Sequence, residues 1–235
     1  VRKLVLGVKA KLTANNVTIV SGEAQVIDKN TVRCGEETYE GENLILCTGS
    51  ETFIPPIPGV DAVNYWTHRD ALDSKELPAS LAIVGGGVIG MEFASFFNSL
   101  GVQVTVVEMM DEILGGMDKE LSALLRAEYT KRGIKFLLST KVVGLSQTEE
   151  GAVVSYENAE GNGSVIAEKL LMSVGRRPVA KGFGLENLNL EKTERGAIRI
   201  NEKMQTSVPG VYVCGDLTGF SLLAHTAVRE AEVAV

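Results

Sequence analysis

The sequence predicts an α/β chain: a parallel sheet grown from one strand–turn–helix–strand unit, an antiparallel meander set into it, and a further piece of mixed structure on either side. Three observations carry this. Residues 81–107 read in succession as apolar strand, glycine turn, apolar helix and β-branched strand. Residues 141–167 alternate between apolar and polar, broken by turn residues. The run FIPPIPGV, Phe53–Val60, sets a first piece of about fifty residues apart from the rest of the chain.

In chain order, Val17–Val20, Glu23–Ile27 and Thr31–Cys34 are short strand-like runs separated by polar turns such as Asp28-Lys29-Asn30, which predicts a small antiparallel meander. Leu44–Cys47 is a short apolar strand ending in Thr48-Gly49-Ser50. Pro55, Pro56 and Pro58 cannot donate backbone hydrogen bonds and stiffen the connector, which reads as a domain boundary. Leu81–Val84 is a strand, Val88–Leu100 a helix stopped by Gly101, and Val102–Val107 a buried parallel strand. Asp118 caps a helix running to about Arg132, with Leu121, Leu124, Leu125 and Tyr129 on one face and Gly133 as its stop. Ile134–Leu138 is the next strand. The meander over 141–167 turns at Glu150-Gly151 and at Gly161-Asn162-Gly163, and Lys169–Val174 is a further strand that ends in Gly175-Arg176-Arg177-Pro178. The last piece holds VPGVYVCGD, Val208–Asp216, and then the opening of a helix. The expected division is 1–60, 61–180 and 181–235. Starting at Val1 and ending inside a helical pattern, the chain is expected to be a trimmed stretch of a longer protein.

Composition excludes several classes. The 235 residues are 45% hydrophobic and 23% charged, with a net charge of −7, so no basic face is offered to nucleic acid. No apolar run approaches a membrane span. Cys34, Cys47 and Cys214 form no CxxC or CxxxxC dithiol and no zinc-ligand pattern with His68 or His225, so no metal site is expected. Cys47 and Cys214 lie in apolar strands and read as small buried hydrophobes, whereas Cys34 lies in a turn-like stretch. No signal peptide is visible, which says little about compartment in a trimmed chain; a cytoplasmic location, or a mitochondrial matrix one in a eukaryote, is the expectation.

The glycine turn is the informative motif. Gly85, Gly87 and Gly90 form G-x-G-x-x-G between a strand and a helix. Gly85 permits the tight turn, Gly87 lets a pyrophosphate approach the backbone, and Gly90 lets the helix pack close to the sheet. The helix N-terminus supplies free N–H groups and partial positive charge for phosphate. Glu108 closes the second strand, where a carboxylate accepts from both ribose hydroxyls of NAD and repels the 2′-phosphate of NADP. Met109, Met110 and Asp111 supply no cation to reverse that choice, and Met109, Met110 and Met117 read as packing or loop residues. A glycine-rich turn with no ligand is the alternative.

LILCTGS, PPIPG, GGGVIGMEFAS, GRRP, VYVCGD and LLAHTA, in this order, cover essentially the whole chain. Together they resemble the flavoprotein disulfide reductases, the FAD- and NAD-linked pyridine nucleotide-disulfide oxidoreductases, and most of all their dihydrolipoamide-oxidising branch. The resemblance implies a Rossmann-like NAD-binding domain inserted between two pieces of a partial FAD-binding domain. It implies that Gly85, Gly87 and Gly90 hold the NAD pyrophosphate, Glu108 its ribose, and that Gly175 passes the nicotinamide end. It implies that Asp216 binds the FAD ribitol, that Thr48 and Gly49 form the FAD-side turn, and that Leu223, Ala224 and His225 give backbone contacts near the flavin. Asp216 capping the segment after it, and His225 as a solvated or core histidine, are the plainer readings. One of Arg176 and Arg177 is implied at FAD, the other being a plain surface arginine. Glu92, in the first helical turn, favours the helix dipole; the family pairs a glutamate here with a lysine beside the flavin.

The implied reaction passes electrons from a dithiol to a cysteine pair, to FAD and to NAD. This sequence holds one glycine fingerprint, no closely spaced cysteine pair and no C-terminal His-Glu base, so no catalytic residue is assigned. The expectation is a chain inactive by itself, with NAD as its cofactor and FAD weak or absent. The parent's implied partners are components of a 2-oxo acid dehydrogenase complex and a second copy of itself. A flavoprotein of the NADH oxidase or mercuric reductase type, and a freestanding NAD-binding module, are the other readings.

Overall fold

The computed structural model describes residues 2–235. The chain is α/β and divides into two compact units, one made of the residues up to Glu51 together with Arg177–Val235, the other Thr52–Arg176.

In the second unit, five strands lie in the order Tyr65–Trp66, Lys169–Met172, Ser80–Val84, Gln103–Val107, Lys135–Leu137, and every described pairing is parallel. Successive side chains on a strand point to opposite faces. Leu81 and Ile83, with Val104, Val106 and Leu171, therefore enter one core beside Met91, Ala94 and Phe97 of the helix Val88–Ser99. Ala82 and Val84, with Val107, Leu170 and Met172, enter the other, against Leu145, Ala152 and Val154 of the antiparallel insert. With both faces covered, residues 81–84 read as a continuous apolar run, whereas residues 102–107 are interrupted by the exposed Gln103 and the half-buried Thr105. Phe97, 1% exposed, stabilises the first core by about 1.5–3 kcal/mol. The proline run packs here too, with Ile54, Ile57 and Val60 against the second core.

Two expected details of this unit are corrected. Asp118 does cap the helix Lys119–Lys131, its Oδ1 accepting from Glu120 N–H at 2.9 Å and Leu121 N–H at 3.1 Å. Its inward face, however, is Ser122, Leu125, Arg126 and Tyr129, while Leu121 and Leu124 stay 65% and 61% exposed. The rotation is held by Arg126, whose Nε and Nη2 both donate to Glu112 at 2.8 Å. In the insert, the strands are Lys141–Thr148, Gly151–Asn158 and Gly161–Ala167, so Gly161-Asn162-Gly163 is strand and the turn is Ala159-Glu160. Asn158 Oδ1 accepts Glu160 N–H at 3.0 Å to shape that turn. Gly163 sits opposite Tyr156, and a Cβ there would lie 2.6 Å from the ring carbon Cζ, so this glycine makes room for an aromatic ring.

The Arg126–Glu112 pair carries a prediction. The Arg126 guanidinium holds the mostly buried Glu112 carboxyl below its ordinary value of 4.5. A lowered folded value adds stability above the unfolded one, and that stability is lost as pH falls through the folded one. Arg126→Met is expected to cost about 1–2 kcal/mol near neutral pH. The gap to the unmodified chain should close in acid as Glu112 protonates. Urea unfolding at neutral and acid pH checks this, and a gap independent of pH would show that lost packing is the cause.

In the first unit, Ala24–Val26, Thr31–Cys34 and Glu37–Glu40 form an antiparallel meander. Val17–Val20 is not a strand: it has no ladder partner, and Val17, Ile19 and Val20 are 44–47% exposed. Glu37–Glu40 supplies the third strand instead, through its register on Thr31–Cys34. Leu44–Leu46 and Val211–Val213 pair in parallel. Their inward residues Leu46, Val211 and Val213 join Val26, Ala180, Leu185, Ile198 and Leu217 in a third core. Ala224–Ala234 is the expected C-terminal helix. Arg2–Ala14 is a further helix, with no buried residue. Among the described residues no helix is long and apolar enough to cross a membrane.

Candidate functional site

The glycine turn lies past the C-terminal end of the central strand Ser80–Val84, where parallel sheets collect their ligand loops. Each glycine has its own steric reason. Gly85 takes φ +109°, and a Cβ on it would fall 2.3 Å from the Ser173 carbonyl oxygen. Gly90, inside the helix, would place a Cβ 2.2 Å from the Gly85 carbonyl oxygen. Gly87 is different. It is the extended N-cap of the helix, and a Cβ there would meet nothing within 4 Å. The space over Gly87 is open, and the first-turn N–H groups beyond it lack intrahelical acceptors.

Glu108 stands at the edge of this turn. Its Oε2 accepts the Gly86 N–H and its Oε1 accepts the Met110 N–H at 2.7 Å. Its own backbone is pinned by Leu137 carbonyl at 2.8 Å and Thr140 N–H at 2.9 Å. Carboxylate oxygens carry further lone pairs, so a group so oriented still accepts from a hydroxyl. Gly175, at φ +123°, follows the neighbouring strand Lys169–Met172 on the same edge of the sheet. Ser173, which no sequence motif marks, lies between them; its enclosed Oγ has no hydrogen-bond partner among the protein's atoms.

The other expected residues belong to the first unit. Asp216 Oδ2 accepts from Ser50 Oγ at 2.5 Å, within the short helical turn Gly215–Thr218 whose N-cap is Cys214. Thr48 Oγ1 donates to Val179 carbonyl at 2.7 Å, and Gly49, at φ +73°, accepts Val179 N–H at 2.9 Å. Ala224 opens the last helix, with Leu223 its N-cap, and His225 is exposed. Glu230, which sequence reasoning misses, is 6% exposed and accepts Gly215 N–H at 2.5 Å. Its Oε1 lies 3.1 Å from the Thr218 hydroxyl, so the carboxylate braces the turn that carries Asp216. A glutamate among the alternating small and apolar residues of AHTAVREAEVA gives no sign of burial, since only the fold shows which face is covered.

The remaining singled-out residues take the following places. Cys214 is buried, but Cys47 is exposed, because its strand ends at Leu46 and the next residue leaves the core. Glu92 is not in the first helical turn: the helix starts at Val88, which leaves Glu92 beyond the free N–H groups. Arg177 pairs with Glu51 at 2.7 Å on the surface. Arg176 lies 3.5 Å from the His68 ring and, after burial, is the main cause pushing that imidazole below its ordinary value. Among the described residues no group of three or more His, Cys, Asp or Glu is placed to hold a metal ion.

The family model for pyridine nucleotide-disulphide oxidoreductases matches residues 1–231. The chain belongs to this family. It is 38% identical to the dihydrolipoyl dehydrogenase of Thermus scotoductus over its full length and 51% of that protein's. It is 39% identical to the dihydrolipoyl dehydrogenase of Acholeplasma laidlawii, over its full length and 69% of that protein's. The solved HOCl-induced flavoprotein disulfide reductase RclA from Escherichia coli superposes with a TM-score of 0.87 at 26% identity, covering 98% of this chain and 54% of that one. The chain spans about half the length of the Thermus and Geobacillus stearothermophilus relatives, 51% and 50%.

Proposed function

We propose that Thr52–Arg176 is an NAD-binding module and that the chain is a stretch of a dihydrolipoamide dehydrogenase. The observation that carries the reading is the Glu108 carboxylate, held at the lip of the glycine turn by two backbone N–H groups. Gly85 and Gly90 shape the turn, Gly87 leaves room for the pyrophosphate, and Gly175 borders the nicotinamide end. Bound nicotinamide supplies hydride chemistry; the protein's part is to bind and orient it. In the first unit Asp216, with Thr48, Gly49 and Ala224, would face FAD. Only one glycine fingerprint is present in this sequence and it lies in the other unit, so FAD retention by this chain is expected to be weak. With no closely spaced cysteine pair, turnover of dihydrolipoamide by this chain alone is not expected. The full-length protein would serve a 2-oxo acid dehydrogenase complex as a homodimer. The fold match to RclA keeps a second reading, a disulfide reductase for another dithiol; the 38–39% identity to dihydrolipoyl dehydrogenases favours the first.

The test is a paired titration of the chain with NADH and NADPH, read by nucleotide fluorescence. NADH should bind more tightly, and Glu108→Gln should narrow the preference by about tenfold, since repulsion of the 2′-phosphate goes with the charge. Equal affinities in the unmodified chain would overturn the assignment of Glu108.

A further inference from the structure

We propose that Cys47 and Cys214 are a thiol–disulfide pair, oxidised by small aliphatic disulfides to a bridge that ties the ends of the two parallel strands of the first unit. The sequence sets them 167 positions apart, which hides the pairing. The fold removes that distance. Leu46 and Val213 are register partners on adjacent parallel strands, so Cys47 and Cys214 are the next residues on each, and Cys214 N–H donates to the Leu46 carbonyl at 3.1 Å. Adjacent strands lie about 4.8 Å apart, inside the roughly 4.4–6.8 Å that a disulfide spans between Cα atoms. Both cysteines are free thiols.

Their environments assign the order of events. Cys47 is exposed and meets the reagent; Cys214 is buried, 2% exposed, and resolves. Cys47 releases its proton and its thiolate attacks one sulfur of RSSR, forming Cys47–S–S–R and releasing RS⁻. Cys214 releases its proton and its thiolate attacks the Cys47 sulfur, forming the bridge and expelling the second RS⁻. The two released protons go to the two RS⁻, and two electrons pass from the cysteine pair to RSSR. Burial pushes both thiols up, Cys214 to about 11 with the neighbouring Cys47 and then Glu230 adding to it, so exchange is slow at neutral pH and speeds up in alkali. The bridge would sit directly before Thr48-Gly49 on one strand and Gly215-Asp216 on the other, fixing the spacing of both turns. None of this depends on the dinucleotide reading.

The test treats the Cys34→Ser chain, with Cys47 and Cys214 intact, with bis(2-hydroxyethyl) disulfide and follows free thiols, intact mass and linked peptides. The expected product has lost two hydrogens, joins the Cys47 and Cys214 peptides, and reverts with dithiothreitol. Its rate should rise about tenfold per pH unit from neutral pH into the alkaline range, as the thiolate fraction does. In Cys34→Ser with Cys214→Ser, the reaction should stop at a mixed disulfide on Cys47. A mixed disulfide that persists on Cys47 while Cys214 is present, or a Cys214→Ser chain that takes up no reagent on Cys47, would overturn the proposal.

Discussion

Gly90→Ala will destabilise the Thr52–Arg176 unit by about 2 kcal/mol and remove its nucleotide binding. In a helix interior the substitution would ordinarily gain about 1 kcal/mol from propensity. Here the new methyl meets backbone on the far side, the Gly85 carbonyl oxygen at 2.2 Å and carbon at 3.3 Å. That carbonyl cannot yield cheaply. Gly85 N–H is bonded to Val107 at 2.9 Å, and Gly85 itself already sits against the Ser173 carbonyl. Overpacking of this kind costs about 1–3 kcal/mol or more, enough to reverse the propensity gain. The urea midpoint of the unit measures it. Gly87→Ala is the contrasting case. Its φ of −72° suits any residue and its Cβ meets nothing, so stability should stay within about 0.5 kcal/mol. NADH affinity should nevertheless fall about tenfold or more, because the methyl occupies the space assigned to the pyrophosphate. A Gly87→Ala chain that binds NADH normally would remove that assignment without touching the steric argument for Gly90.

Glu230→Ala is the second large effect, about 2–3 kcal/mol, because it strands a buried donor. The carboxylate is 6% exposed and takes the Gly215 N–H at 2.5 Å. With alanine, that N–H is left enclosed in a turn where Gly215 holds φ +75°. Glu230→Gln keeps an acceptor oxygen for Gly215 and should lose only about 1 kcal/mol. Urea unfolding of the two variants separates loss of the acceptor from loss of the charge. An equal cost for both would show that the charge, not the bond to Gly215, is what the turn requires.

The residues that are legible in the sequence are those whose reason is local. Gly85, Gly87 and Gly90 announce a turn, Asp118 a cap, and residues 102–107 a strand buried on both faces, because each rests on a few neighbouring side chains. What escapes depends on packing across the chain. Leu121 and Leu124 fit a helical apolar face as well as Leu125 and Tyr129 do. The packing of Leu125 and Tyr129 into the core and the Arg126–Glu112 pair, fourteen positions apart, go with the rotation seen. Gly161-Asn162-Gly163 has turn composition, yet Tyr156 across the ladder claims Gly163 for a ring. Glu230 and the Cys47–Cys214 neighbours become visible only when strands distant in sequence pair in register.

The hydrogen bond from Phe53 N–H to the Gly175 carbonyl, 3.0 Å, bears on the order in which the chain folds. It joins the two ends of the 52–176 segment, so the inserted unit starts and finishes at one place. Before that unit forms, Glu51 and Arg177 are the ends of a long flexible loop. Afterwards they are the ends of a staple. Closing a loop costs entropy that grows with the logarithm of its length, so folding the insert first spares the discontinuous unit roughly 3 kcal/mol when its two pieces join. The segment that interrupts the first unit in sequence thus acts, once folded, as its shortest link.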